Sequence, residues 1–167
     1  SSDRGSSDAA INLVCSANLA GYSDIAEVGI CMHGTPNDEF CLFNRGTKVR
    51  KMHTSRRDTF RPINEKPLAK VWPNGKIEVI NASHRVRSDE ETKADVKFEP
   101  KTALLKSYPG SNPEIIDFLL DKKYKGFVIE AHGLGHVPTD DNSWLPHIKK
   151  AIDSGAAVCF AAQTIYG

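Results

Sequence analysis

The sequence predicts an α/β protein in two parts: part of a first α/β domain over residues 1–83, and part of a smaller parallel-sheet domain over 102–167, joined by a linker at 84–101. Three observations carry this reading. Short apolar runs broken by Gly, Pro and Asn fill the first part, the pattern of strands joined by turns. The stretch HRVRSDEETKADVKFEPK (84–101) then changes character, with Val86, Val96 and Phe98 as its only strongly apolar residues. Beyond it, strand-like and helix-like runs alternate as β-α-β-α-β with short connections, the mark of a parallel sheet with crossover helices.

The elements follow in order. Residues 1–7 read as a Ser/Gly loop, and Asp8 is placed to cap a helix. Ile11, Val14, Cys15 and Leu19 recur at helical spacing, and Gly21 is placed to end that helix. EVGICMH (27–33) predicts a buried strand, GTPND a turn, and FCLFN (40–44) the return strand. LAKVWPNGKIEVI (68–80) predicts a hairpin turning at Pro73-Asn74-Gly75. In the second part, TALLKS (102–107) predicts a strand, and Asn112 with Pro113 a helix start. Ile115, Ile116, Leu119 and Leu120 are placed on one helix face. GFVIE (126–130) predicts a strand followed by a Gly-rich loop. Ser143 opens a helix carrying Trp144, Leu145, Ile148 and Ile152 on one side, Gly155 ends it, and AAVCFAA (156–162) predicts the third strand. In open α/β sheets ligands sit at the carboxyl ends of strands. AHGLGHVPTDDN and QTIYG occupy two such ends.

Composition narrows the function classes. A net charge of +1 gives no global attraction to nucleic acid, membrane or acidic ligands, so any electrostatic function is local. No apolar run approaches the roughly 20 residues that span a bilayer, and the opening SSDRGSSDAA lacks the apolar core of a signal peptide. The four cysteines form no C-x-x-C pair and no zinc spacing. Cys15, Cys31 and Cys159 lie in apolar stretches and are expected reduced and buried, which favours a cytoplasmic location. The chain opens in a polar loop without Met and stops after an apolar strand, which reads as an internal piece of a longer polypeptide.

Chemistry concentrates in KVRKMHTSRRDTF (48–60). From Arg45 to Arg61 the strip holds seven Lys or Arg against one acid, Asp58. Local positive charge is the footprint of phosphate contacts. With Phe60 as its only aromatic, the strip also reads as a solvated surface with packed stems, and the pattern leaves both open. HGTPND (33–38) reads as a β-turn, since Pro and Asn are turn residues. GLGH (133–136) is too short for a dinucleotide fingerprint, and its glycines fit a tight loop with positive φ. His132 and His136 stand where they can meet a ligand, without acidic or Cys residues at zinc-like spacing, so no metal site is expected.

SSDRGSSDAAINL, FNRGTKVRKMHTSRRDTFRPIN, NGKIEVI, GLGHVP and AAVCFAAQTIYG together resemble the type I/II L-asparaginases. Within them they resemble most the branch of asparaginase-like D subunits of archaeal glutamyl-tRNA(Gln) amidotransferases. The resemblance runs the length of the chain. It implies an asparaginase/glutaminase-like α/β fold, with residues 1–83 as the C-terminal half of the first domain and 102–167 as the first half of the second. It implies an amidase that releases ammonia from Gln or Asn for conversion of Glu-tRNA(Gln) to Gln-tRNA(Gln). It also implies a partner, the E subunit, that binds most of the tRNA and carries the ATP and magnesium, and a homodimer through the asparaginase-like domains. No cofactor is expected in this chain and no membrane partner.

The same resemblance assigns residues. It places the family's nucleophilic Thr and its Thr-Asp pair before residue 1, so the chain alone is expected to be inactive. The catalytic Lys matches Lys51, with His53, Thr54 and Ser55 placed to fix its strand. A Thr hydroxyl needs a base, and a partly desolvated Lys beside a carboxylate can supply one. The second-domain loop that reaches from a neighbouring protomer toward the active site matches Gly135 and His136. Ala131 and His132 depart from the Gly-Thr expected before it. Arg45, Lys48, Arg56 and Arg57 are left as supports, interface or tRNA contacts, with Arg56 and Arg57 the foremost tRNA candidates. The alternatives are a free L-asparaginase, an RNA- or partner-binding fragment acting through 45–61, or a retained piece with no function alone.

Overall fold

The structure, a computed structural model, describes residues 3–167. Ser1 and Ser2 of the opening loop lie outside the described residues. The chain forms two compact units, 1–91 and 92–167.

In the first unit, helix α1 (Ala9–Tyr22) packs on an antiparallel sheet of order β1-β2-β5-β6. Its strands are β1 (Gly29–His33), β2 (Cys41–Arg45), β5 (Ala69–Val71) and β6 (Ile77–Val79). A separate ribbon pairs β3 (Val49–Lys51) with β4 (Phe60–Pro62). The core lies between helix and sheet: Cys15 and Leu19 from α1 meet Cys41, Phe43, Leu68, Ala69 and Val71. The expected hairpin is present, and its turn follows from its residues. Trp72 N–H donates to Lys76 O at 2.9 Å, Gly75 takes φ +91°, and Asn74 Oδ1 accepts from Lys76 N–H at 3.1 Å. A Gly in the left-handed region is what a three-residue hairpin loop requires.

The helix ends differ from expectation. Asp8 precedes α1 but its side chain caps no backbone N–H; it accepts instead from Asn12 Nδ2 at 3.1 Å. The helix runs through Gly21 and ends at Ser23, whose N–H and hydroxyl both donate to Leu19 O. Val14 is 43% exposed, so the buried stripe is Cys15 and Leu19, with Ile11 packed against it. Glu27 and Val28 precede the strand, and β1 is half-buried at the sheet edge rather than fully covered. Its His33 is buried between Asn12 and Asp38.

The second unit is a three-stranded parallel sheet of order β7-β8-β9: β7 (Thr102–Lys106), β8 (Gly126–Ala131) and β9 (Ala157–Ala162). The strands lie in sequence order, so both crossovers run the same way and both helices fall on one face. Ile116 of α2 (Glu114–Asp121) and Ile148 and Ala151 of α3 (Leu145–Asp153) close over Phe127 and Ile129, together with Trp144. Trp144 is buried because its indole N–H finds Ser111 Oγ at 3.1 Å. Asn112 Oδ1 accepts from Glu114 N–H at 2.9 Å, and Gly155 leaves α3 with φ +86°. Three face assignments change. Ile115, Leu145 and Ile152 point to solvent, and the buried stripe of the last helix is Trp144, Ile148 and Ala151. Cys159 is exposed, not buried: Val158 takes the helix-covered side, and strand alternation turns Cys159 to the other.

The charged stretch after residue 84 begins pinned. Ala26 N–H donates to Arg85 O and Arg87 N–H to Asp24 O, both at 2.8 Å, around the bridge Ile25–Val86. From Ser88 to Lys101 the chain is exposed and without regular structure. Among the described residues no helix is long and apolar enough to cross a membrane.

Candidate functional site

The strip that concentrates the chemistry becomes the β3–β4 ribbon and its loop, 52–59. Lys51 closes β3 directly opposite Phe60 and is exposed. The loop is tied by its own residues. Met52 N–H donates to Thr59 O at 2.8 Å, His53 N–H donates to Thr59 Oγ1 at 2.8 Å, and the Thr59 hydroxyl donates back to His53 O. His53 Nδ1 then accepts the N–H groups of Ser55 and Arg56 at 3.1 and 3.2 Å. Two acceptor contacts mean that this nitrogen carries no proton. So His53 fixes the strand end, as expected, but its chief partner is Thr59. Among the described residues Thr54 has no side-chain hydrogen bond, and Ser55 takes part through its backbone alone.

The cations sort into two groups. Arg56 forks onto both oxygens of Asp58 at 2.8 Å, and Arg61 reaches the same carboxylate. Asp58 is 3% exposed. Hydrogen bonding from Arg56, then the charges of Arg56 and Arg61, hold its carboxyl below the ordinary Asp range against the opposing effect of burial. Arg57 binds Asp38 at 2.7 Å and also reaches Ser6 O and Pro36 O. It thereby ties the loop to residues before α1 and to the turn after β1. Asp38 is lowered first by its hydrogen bond with His33, then by the charge of Arg57. Arg45 lies between Glu27 and Glu65, and Glu27 is lowered chiefly by the N–H of Arg85. Lys48, Arg50 and Lys51 have no carboxylate partner among the described residues.

The expected site edge of the second unit lies at the carboxyl ends of β8 and β9. Gly133 and Gly135 take φ +47° and +115°, the conformations their type permits. His132 N–H donates to His136 O at 2.9 Å and His136 N–H to His132 O at 2.8 Å, closing a tight loop. Gln163 ties the strand ends together, its amide donating to the carbonyls of Ser107 and Glu130. Beside the loop opens a cleft of about 510 Å³ lined by His132, His136, Pro109, Asp140, Asp141 and Asn142, among others. His136 is exposed at its rim, and His132 Nε2 is buried without a hydrogen-bond partner among the described residues. Among the described residues no group of three His, Cys, Asp or Glu is placed to hold a metal ion.

An α1-capped antiparallel sheet followed by a β-α-β-α-β unit defines the class, and sequence comparison agrees with it. Residues 1–85 match the profile described as asparaginase, N-terminal, and residues 101–167 match the glutaminase/asparaginase C-terminal domain. The chain belongs to the asparaginase family. It is 59% identical over its whole length to the D subunit of glutamyl-tRNA(Gln) amidotransferase from Pyrococcus abyssi, and 56% to that of Thermococcus kodakarensis. The D subunit of Aeropyrum pernix is 43% identical. The chain spans 37% of the length of the first two. Among solved structures it resembles the thermostable L-asparaginase of Thermococcus kodakarensis, with TM-score 0.78 and 24% identity, over 99% of this chain and 46% of that one. L-asparaginase I of Vibrio cholerae matches with TM-score 0.72 and 23% identity over 94% and 45%. These structures establish the asparaginase-like fold.

Proposed function

We propose that the complete polypeptide is the amide-hydrolysing subunit of a tRNA-dependent amidotransferase, releasing ammonia from Gln or Asn to convert Glu-tRNA(Gln) to Gln-tRNA(Gln). The observation that carries the reading is end-to-end similarity, at 43–59% identity, to amidotransferase D subunits. The L-asparaginases share the fold at only 23–24% identity, which makes a free asparaginase the second reading. In this proposal the E subunit of the complex activates the tRNA-bound glutamate with ATP and magnesium and binds most of the tRNA. The asparaginase-like domains pair as a homodimer, and the loop with Gly135 and His136 borders a substrate site.

Lys51 is assigned as the proton acceptor. A Thr hydroxyl supplied by the rest of the polypeptide attacks the amide carbon while its proton passes to the Lys51 amine. The proton then passes to the amide nitrogen, ammonia leaves, and water hydrolyses the resulting ester to restore the Thr. Within this chain the Lys51 side chain is exposed. The desolvation that makes a lysine a competent base at neutral pH would therefore come from the segment carrying the Thr. The Thr59–His53 clamp supports the assignment, because it fixes the strand end at which Lys51 stands.

The test is steady-state ammonia release from Gln and Asn by the full-length protein and its Lys51→Met variant. Loss of a general base costs about 10²- to 10⁴-fold. Lys66→Met, the same change at an exposed lysine elsewhere in the unit, is expected to keep turnover near normal. Near-normal turnover in Lys51→Met, with circular dichroism unchanged in both, removes the assignment.

A further inference from the structure

We infer that Arg50 and Lys48, rather than Arg56 and Arg57, form the place where this chain grips RNA phosphate. The inference rests on the tRNA-dependent reading above. Its first ground is the accounting of charge. Of the seven cations between Arg45 and Arg61, four are committed to carboxylates: Arg45 to Glu27 and Glu65, Arg56 and Arg61 to Asp58, and Arg57 to Asp38. Their guanidinium groups already fill hydrogen-bonding roles that hold the loop. Lys48, Arg50 and Lys51 remain exposed and unpaired among the described residues.

The second ground is register. Arg50 stands directly opposite Arg61 in the β3–β4 pairing. Directly opposed residues share a face with Cβ atoms about 4.5–5.5 Å apart, and like charges so placed are unfavourable. Among the described residues Asp58 is the one carboxylate that reaches this pair, through Arg61 alone, and Arg56 already forks onto it. Nothing in the folding of a three-residue ribbon calls for a second arginine there; a Thr or Val would pair better. Arg61 is held by Asp58, so the charge left over is that of Arg50, and it is relieved when an anion pairs with the Arg50 side chain. A free guanidinium suits a phosphate, whose oxygens accept its paired N–H donors, better than a point-charge lysine would. Lys48 begins the same segment, and its carbonyl accepts the Ile63 N–H at 2.8 Å, which anchors it to the other strand. The strip's only aromatic, Phe60, is half-buried, so the grip is on the backbone and carries no sequence preference.

The experiment measures the affinity of the full-length protein, in complex with its partner, for tRNA across a range of salt concentrations. Each phosphate contact contributes about 0.7–0.9 to the slope of log K against log salt. Arg50→Gln and Lys48→Gln are each expected to flatten the slope by about that amount and to weaken binding at low salt. Arg50→Lys should keep most of the slope and lose part of the affinity. Lys76→Gln, on the hairpin over Trp72, is the control that should change neither. If the unaltered complex binds tRNA but Arg50→Gln and Lys48→Gln both leave the slope intact, the inference is overturned while the function stands. Should the variants instead weaken assembly of the complex in sedimentation, at unchanged slope, the strip is a protein interface and the inference also fails. If the unaltered complex binds no tRNA at all, the functional reading itself falls, and this inference with it.

Discussion

Asp58 is the residue around which the basic loop is organised. It is a buried acid touched by two arginines, and Thr59 beside it closes the loop onto His53. The sequence offered a signal for it, a lone acid in a run of cations, but spacing could not say which cation it would take. Its folded-state pKa lies below the ordinary value of about 3.9, so the folded chain binds the proton more weakly than the unfolded one. Its contribution is therefore full above the unfolded value and lost as pH falls through the lower folded value. Asp58→Asn should loosen the loop at pH 7, speeding hydrogen exchange at the Met52 and His53 amides. The local cost is about 1–3 kcal/mol, toward the lower end because Arg56 and Arg61 are 54% and 41% exposed in their side chains. The gap between variant and parent should close below the carboxylate range. A gap that persists there would assign the effect to side-chain shape rather than charge.

At the level of elements, strands were more legible than helix faces. The hairpin at 68–80 and the parallel strands announced themselves through alternation, Gly and Asn, because those signals are local. Helix faces depend on where the neighbouring element lies. Ile115, Leu145 and Ile152 are as apolar as the residues that are buried, and only packing separates them. The exposure of Cys159 has the same origin: an apolar edge strand does not say which of its sides the helices will cover. The candidate site divides likewise. Lys51, His53 and the two loop glycines were legible by motif, whereas the commitment of Arg56 and Arg57 to Asp58 and Asp38 is tertiary. One element-level contact escaped the sequence reading altogether. A Cβ on Gly34 would run into the Phe40 ring and Leu42, so the end of β1 closes on β2 only because that side chain is missing. Gly34→Ala should cost about 1–3 kcal/mol by overpacking. Thermal unfolding of the full-length protein measures it against Gly5→Ala, where a methyl meets nothing within 4 Å. Adding Phe40→Leu should recover part of the loss; no recovery would point to backbone strain instead of the clash.

At the scale of the whole chain, what lies between the two compact units decides how it comes apart. Proteases cut where backbone is exposed and free of hydrogen bonds. Composition alone makes all of 84–101 equally open, and basic residues occur at both its ends. Hydrogen bonding does not treat the stretch evenly. Arg85 and Arg87 are held to Asp24 and Ala26 around the Ile25–Val86 bridge, and the N–H of Lys125 holds the carbonyl of Lys101 at 2.9 Å. Between these anchors Val96 and Phe98 are 81% and 83% exposed, so no core shelters the middle. Limited trypsin digestion of the full-length protein should therefore cut first after Lys93 and Lys97, and chymotrypsin after Phe98. Cleavage after Arg85, Arg87 or Lys101 should be slower, because each requires backbone hydrogen bonds to open first. Mass spectrometry of the earliest fragments reads the order. First cuts after Arg85 or Arg87 would mean that the bridge to Ile25 does not hold in solution. First cuts within 102–131 would mean that the parallel sheet opens more readily than the segment leading to it.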